Sequence, residues 1–203
     1  MKLPIAPNQL FEIVARIRET EIPYLIVGGQ AVVSSHVFSE TQDLDVMIAV
    51  RDFDETIRRL GEDPQFGTPE AVSWVAKYEI YLGPREDDYV EFDLLNGKKY
   101  CGARAPDEFF DYIRHSWTVW SELGPSAKIP VVWYTRLMVR DSGEKYVRKV
   151  IRDLRAGASK RNFDDTLKIA DFCETREEIE RRIARAREIL AEIEEPKHDP
   201  RRE

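Results

Sequence analysis

The spacing of apolar residues changes along the chain, and each spacing predicts an element. Near the N-terminus apolar residues recur at the spacing of one helical face: Leu10, Ile13, Val14 and Ile17. This pattern predicts a helix over residues 8–20, with Asn8 as its N-cap and Pro23 beyond its end. A short apolar run over residues 24–27 predicts a strand, and a helix is expected to follow over residues 30–36.

After residue 42 the pattern alternates between strand and helix periods. It first predicts a strand ending near residue 50, then a helix over 53–60 capped by Asp52 and a loop over 61–69. A hairpin of strands 74–82 and 89–95 around a polar turn is expected next. A helix over 107–117 and a short strand or lead-in over 129–132 follow. The remainder is expected to be helical, ending with a helix over residues 176–194.

Together these elements predict an α+β fold, with a small mixed β-sheet, helices packed on one side of it, and a helical C-terminal part. The expected divisions are a core over residues 1–128, a helical subdomain over 129–195, and a flexible tail over 196–203. The apolar stripe of the last helix is expected to pack on the domain or on a second copy of the chain, so a homodimer is left open.

Two acids interrupt the second apolar run. Asp43 and Asp45 are two residues apart, so in a strand they share a face with their backbones about 7 Å apart. Like charges on one face of an apolar strand repel each other and resist burial unless a cation lies between them. A hard divalent cation with oxygen ligands, such as Mg²⁺, satisfies this requirement, and Mn²⁺ is an alternative.

A third acid follows the same logic. In the strand over residues 89–95, Val90, Phe92 and Leu94 alternate with Glu91 and Asp93. A neighbouring strand carrying Asp93 would complete a group of three acids, which can hold two metal ions about 3.5–4 Å apart for phosphoryl displacement. The alternative is a surface group of unpaired acids, against which the apolar flanks argue.

The order of these motifs resembles the nucleotidyltransferase-fold superfamily, that of DNA polymerase β. The resemblance rests on Gly28-Gly29, then Asp43-Leu44-Asp45 after thirteen residues, and later Phe92-Asp93-Leu94. It covers residues 22–95 well and 129–172 loosely, and within the superfamily it is nearest to the minimal prokaryotic and abortive-infection toxin types.

The resemblance implies roles for individual residues. Gly28 and Gly29 would receive the nucleotide phosphates, Asp43 and Asp45 would bind both metals, and Asp93 would bind one and help to activate the acceptor hydroxyl. The chain departs from the family pattern in two places. Many relatives have Gly-Ser at the Gly28-Gly29 position, so the hydroxyl contact to phosphate is either missing here or supplied by Ser34 or Ser35, and Ser39 stands where many have arginine.

Charge is distributed unevenly along the chain. The 203 residues carry a net charge of −7, yet residues 136–161 hold nine basic residues against three acidic ones, a net charge of +6. Within this segment one predicted helix face carries Lys145, Arg148, Lys149 and Arg152, opposite an apolar stripe. The face is either an ordinary solvated surface or a phosphate-binding wall across from the acids, and Lys149 and Arg152 are the candidates for nucleotide binding.

These observations leave three functions open. The first is an Mg²⁺-dependent enzyme that transfers a nucleoside monophosphate from an NTP such as ATP to a hydroxyl of RNA or tRNA, a protein or a small molecule. A toxin–antitoxin role for such an enzyme is left open. The second is a non-catalytic module of the same fold that binds a nucleotide, a nucleic acid or a protein. The third is a nucleic-acid-binding protein that uses the basic helix alone.

Location and redox chemistry follow from simpler features. No apolar run approaches the roughly 18 residues that cross a bilayer, and the N-terminus does not resemble a signal peptide, so a cytoplasmic protein without membrane contact is expected. Cys101 and Cys173 have neither zinc-site spacing nor a disulfide pattern.

Overall fold

A seven-stranded mixed sheet runs through the middle of the molecule. The computed structural model describes residues 3–34, 43–81, 89–138 and 144–194. The strands are β1 (Tyr24–Val27), β2 (Asp43–Ile48), β3 (Glu70–Val72), β4 (Val75–Ile80), β5 (Val90–Asn96), β6 (Thr118–Ser121) and β7 (Gly124–Ala127), in the spatial order β3-β4-β5-β2-β1-β7-β6. The pairs β2–β5 and β1–β7 are parallel and the other neighbours are antiparallel. The mixed α+β class is therefore confirmed.

Eight α-helices accompany the sheet in the described residues. They are α1 (Pro7–Glu19), α2 (Gly28–Ser34), α3 (Phe53–Leu60), α4 (Pro106–Ser116), α5 (Ile129–Met138), α6 (Glu144–Arg155), α7 (Asn162–Phe172) and α8 (Arg176–Glu194). Helix α1 has Ala6, not Asn8, as its N-cap, and the Gln9 side chain accepts a hydrogen bond from the Ala6 amide at 2.9 Å. Because Pro7 has no amide hydrogen, it fits the first helical position, and the helix begins one residue earlier than expected.

The helices cover both faces of the sheet, not the one side expected. One apolar core contains the inward faces of α1 and α3 with Leu44, Val46 and Ile48 of β2. The other contains Met47 from the opposite face of β2, together with α4, α5 and the C-terminal helices. Strand β2 thus buries both of its faces, and its two acids take positions on the second face, at the edge of the larger core.

Two elements between residues 117 and 138 differ from the expectation. Strands β6 and β7 form a hairpin that the pattern did not indicate, and the predicted strand over residues 129–132 is the first turn of α5. Strand β7 forms because it pairs in parallel with β1, at Ile26 and Ser126, which is a tertiary effect. Helix α5 is buried from Pro130 to Met138, so it shows no helical period, and Pro130 is tolerated in its first turn.

The predicted C-terminal helix is confirmed as α8. Five members of its apolar stripe are buried in the core shared with α5, α6 and α7, namely Ile179, Ile183, Ala186, Ile189 and Leu190. The sixth, Ile193, is 41% exposed. Most of the stripe is therefore covered within the chain, and a homodimer through this helix stays a prediction. The expected tail over residues 196–203 lies outside the described residues. Among the described residues, no helix is both long enough and apolar enough to cross a bilayer.

Candidate functional site

Strand register brings the three predicted acids to one wall of a cleft. In the parallel pair β2–β5, Asp45 lies directly opposite Asp93, and Asp43 is two residues before Asp45 on the same face. Strand β1 pairs with β2 so that Val27, the residue before Gly28, lies opposite Asp45. The cleft has a volume of about 730 Å³, and its lining includes Gly28, Gly29, Asp43, Asp45, Asp93, Lys149 and Arg152.

Gly28 gives Asp45 the space it occupies. The backbone of Gly28 has φ of +62°, and a Cβ at this position would stand 1.8 Å from Asp45 Oδ2 and 2.7 Å from its Cγ. A glycine is therefore required twice over, once for the left-handed backbone conformation and once for the close approach of the carboxylate. The glycine turn and the second acid are thus one steric unit.

Asp45 has a raised proton affinity in this group of acids. Burial, then the charges of Asp43 and Asp93, raise the pKa of Asp45 to about 7, while Lys149 and Arg136 act in the opposite direction. A carboxylate with a pKa near 7 reports an excess of negative charge in a poorly solvated place. Asp45 is therefore the acid most in need of a compensating cation.

Cations from α5 and α6 line the cleft together with these acids. They are Arg136, Lys149 and Arg152, which we call the cation wall. Burial, then Arg136 and Lys145, lower the pKa of Lys149, whereas Asp43 and Asp45 raise it. The charge on Lys149 therefore interacts both with its cationic neighbours and with the acids. Of the four basic residues predicted on α6, Lys149 and Arg152 contribute to the cleft lining, whereas Arg148 is exposed and pairs with Glu144 at 3.2 Å.

A buried carboxylate contacts two of the three side chains of the cation wall. Asp153 is fully buried and accepts a hydrogen bond from Arg136 Nη1 and another from Trp133 Nε1 at 3.1 Å. Arg152 Nη2 also lies 3.8 Å from Asp153 Oδ1. Arg136 has only 7% of its surface exposed, and burial lowers the pKa of its guanidinium group while Asp153 opposes that effect. One carboxylate on α6 thus contacts cations from both helices of the wall.

The acids match a hard divalent cation in chemistry, although they do not form a finished coordination sphere. All three provide carboxylate oxygens, which Mg²⁺ and Mn²⁺ prefer, and the raised pKa of Asp45 marks the place where a cation would relieve repulsion. Within the described ranges, no group of three histidine, cysteine, aspartate or glutamate side chains is close enough together to hold a metal ion. Binding would therefore require the carboxylates to turn toward one another.

The remaining predicted residues are less closely connected to the cleft. Ser34 ends α2 and is not among the residues lining the cleft, and Ser35 and Ser39 lie outside the part of the chain that the structure describes. Sequence reasoning missed Arg136 and Trp74, which both line the cleft. A signal for Arg136 was present, because it is the one charged residue in the ten-residue apolar stretch of α5.

Comparison with known proteins gives only distant likenesses. No family model matches the chain, and no curated protein matches it. A candidate nucleotidyltransferase of Thermotoga maritima is 10% identical, with a TM-score of 0.42 over 66% of this chain and 86% of its own. The Helicobacter pylori protein JHP933 is 12% identical, with a TM-score of 0.45 over 92% of both chains. A candidate nucleotidyltransferase of H. pylori is 13% identical, with a TM-score of 0.43 over 95% of this chain and 100% of its own. At these values the likenesses carry no functional argument, and function is inferred from the cleft itself.

Proposed function

We propose that this protein is a metal-dependent nucleotidyltransferase that transfers a nucleoside monophosphate from an NTP to a hydroxyl group and releases pyrophosphate. The observation that carries the proposal is the cleft, which combines Asp43, Asp45 and Asp93 with the cation wall. An acid group beside a glycine turn and a set of cations is the arrangement that phosphoryl transfer to a hydroxyl requires.

The acids would hold the metal. Asp43 and Asp45 are the proposed ligands of two Mg²⁺ or Mn²⁺ ions, and Asp93 is the proposed ligand of one. When bound, the ions would neutralise the charge that develops on the attacking and leaving oxygens. The contact between Gly28 and Asp45 supports this assignment, because it leaves no room for a side chain beside the carboxylate.

The other side chains of the cleft would bind and orient the substrates. Arg136, Lys149 and Arg152 would bind the polyphosphate of the NTP, since their charges complement its oxygens. Asp93 would orient the acceptor hydroxyl and accept its proton while the hydroxyl oxygen attacks the α-phosphorus and pyrophosphate leaves. The proton is then released to solvent, so that NTP and alcohol become the nucleotidyl ester, pyrophosphate and a proton.

The test is direct transfer of label. The protein is incubated with each α-labelled NTP, Mg²⁺, and either total RNA, protein extract or a small-molecule fraction, and labelled products are separated by size. Asp45→Asn serves as the matched inactive variant. Label that moves to one fraction in the parent and not in Asp45→Asn supports the proposal, whereas equal labelling by both variants contradicts it. Transfer to a host component in cells would add the toxin role that the abortive-infection resemblance implies, together with a cytoplasmic site of action.

A second candidate is a nucleotide-binding module without transfer. The positions of the carboxylates favour it, because among the described side chains no three acids lie close enough together to hold a metal ion. NTP binding that depends on Lys149 and Arg152, without labelled product in any fraction, would select this candidate.

A further inference from the structure

The cleft has a second surface of different chemistry at Trp74, and Lys98 and Lys99 lie beside this residue, next to the cleft. Trp74 lines the cleft and is partly buried against the core, and it immediately precedes β4, the neighbour of β5 on the side away from β2. Lys99 Nζ lies 4.2 Å from the centroid of the Trp74 ring, and Lys98 beside it is exposed. We call these three residues the aromatic platform.

A buried asparagine forms hydrogen bonds with the backbone on both sides of the platform. Asn96 is fully buried at the end of β5, and its amide nitrogens donate to Trp74 O and, from the side chain, to Ser73 O, both at 3.0 Å. Its Oδ1 accepts a hydrogen bond from the Lys98 amide at 3.2 Å. The backbone at Trp74 and Lys98 is therefore held in a fixed relation to Asp93, which lies three residues before Asn96 on the same strand.

The platform and the cation wall lie toward different ends of the row of acids. Arg136 of the wall lies on α5, which packs against α2 and β7, on the side of the sheet where β1 lies. Trp74, by contrast, precedes a strand that pairs only with β3 and β5 in the sheet, on the side of Asp93. If the NTP polyphosphate occupies the wall, the platform is left for the molecule that supplies the hydroxyl near Asp93.

We propose that the aromatic platform binds the acceptor, and that this acceptor is the end of a single-stranded nucleic acid. Its terminal base stacks on Trp74, and the adjoining phosphates pair with Lys98 and Lys99. A phosphate attracts an ammonium group more strongly than an aromatic face does, so Lys99 leaves the indole as the strand arrives. The combination of an aromatic ring and adjacent cations is the one that single-stranded nucleic acids use, and a protein chain has no matching row of phosphates. That the bound strand is the acceptor of the transfer rests on the proposed function, whereas binding of the strand by the platform does not.

The test measures strand binding without chemistry. A labelled single-stranded RNA of about 10 nucleotides is titrated by fluorescence anisotropy in EDTA and without NTP. Trp74→Ala should weaken binding about tenfold, because stacking of one base contributes that much, and Trp74→Phe should retain most of the affinity. Trp120→Ala is the matched control: Trp120 is 78% exposed on edge strand β6, at the other end of the sheet, and its loss should change nothing.

The lysines give an independent readout that does not depend on how Trp74→Ala folds. Lys98→Gln with Lys99→Gln should make the salt dependence of binding shallower, by about 1.4 in the logarithmic slope for two lost phosphate contacts. Binding of a fluorescent NTP analogue should be unchanged in every platform variant. Unchanged RNA affinity in Trp74→Ala, or a loss of NTP affinity instead, would overturn the proposal. If the protein binds RNA through the platform but transfers no nucleotide, the proposed function is refuted and the proposal that the platform binds RNA still holds.

Discussion

The carboxylate of Asp45 lies against the α-carbon of Gly28, so closely that a Cβ on residue 28 would stand 1.8 Å from Oδ2. The two residues come from different elements, since Gly28 begins α2 directly after β1 and Asp45 lies in β2 opposite Val27. The contact sets the position of the second acid relative to the glycine turn. The two parts of the sequence motif therefore depend on each other physically.

Gly28→Ala should disrupt the site as well as strain the backbone. The positive φ alone costs about 1–2 kcal/mol, and the clash with Asp45 adds about 1–3 kcal/mol. Gly67→Ala is the matched control, because Gly67 has φ of +58° and nothing within 4 Å of the added Cβ. Urea unfolding should show the larger loss for Gly28→Ala, and transfer activity should vanish only in that variant. Equal losses with activity intact in both would mean that the Asp45 contact has no consequence.

Asp45→Asn should stabilise the protein in EDTA above neutral pH. The pKa of Asp45 in the folded state is about 7, above its ordinary value of about 3.9, so the folded state retains a proton that the unfolded state has released. Stability from this residue is therefore intact below about pH 4, falls as pH rises to about 7, and stays reduced beyond. Each pKa unit corresponds to about 1.4 kcal/mol, so the variant should gain a few kcal/mol at pH 8 and nothing at pH 3.5.

Mg²⁺ provides the second half of this experiment. If the acids bind the ion, adding Mg²⁺ at pH 8 should stabilise the parent by mass action and affect Asp45→Asn much less. A gain for Asp45→Asn that is the same at pH 3.5 and pH 8 would show that repulsion among the acids does not cause it. Equal Mg²⁺ stabilisation of both proteins would argue against Asp45 as a metal ligand.

Much of the arrangement of Asp43, Asp45 and Asp93 could be predicted from sequence because strand periodicity is simple. Alternate residues share a face, so the spacing of Asp43 and Asp45 was sufficient to align them, and the same alternation placed Asp93 on the opposite face from Phe92. The register that sets Asp93 opposite Asp45 was not in the local pattern. It was inferred from the order of motifs in a known superfamily.

The parts that could not be predicted depend on contacts between distant residues. Arg136 belongs to the cleft because Asp153, on the next helix, provides its buried partner, and nothing in local periodicity pairs these two positions. Strand β7, with the sequence Gly-Pro-Ser-Ala, has no strand propensity of its own and forms beside β1. Helix α5 is buried from Pro130 to Met138 and is apolar on most sides, so its sequence lacks the period that identifies a helix.

Neutralising Lys149 and Arg152 together should weaken binding of an NTP analogue and make its salt dependence shallower. Both residues line the cleft, so their charges act directly on a bound polyphosphate. The matched control is Lys145→Gln with Arg148→Gln on the same helix, since both side chains are exposed and Arg148 is paired with Glu144. Stability should change by less than about 1 kcal/mol in the control pair. Equal loss of binding in the two double variants would indicate general electrostatic attraction, not a binding wall.

Asp153→Asn should affect both stability and nucleotide binding, because one buried carboxylate contacts Arg136, Arg152 and Trp133. Removing one partner of a buried ion pair leaves an uncompensated charge and costs about 3–5 kcal/mol, which urea unfolding would measure. Asp111→Asn is the surface control: its carboxylate pairs with Arg51 at 2.9 Å with both side chains more than 40% exposed, so its loss should cost under about 1 kcal/mol. Because Arg136 would lose its fixed position, the KM for NTP should rise in the folded Asp153→Asn protein more than kcat falls. A destabilised variant with an unchanged KM would mean that Asp153 supports the fold alone.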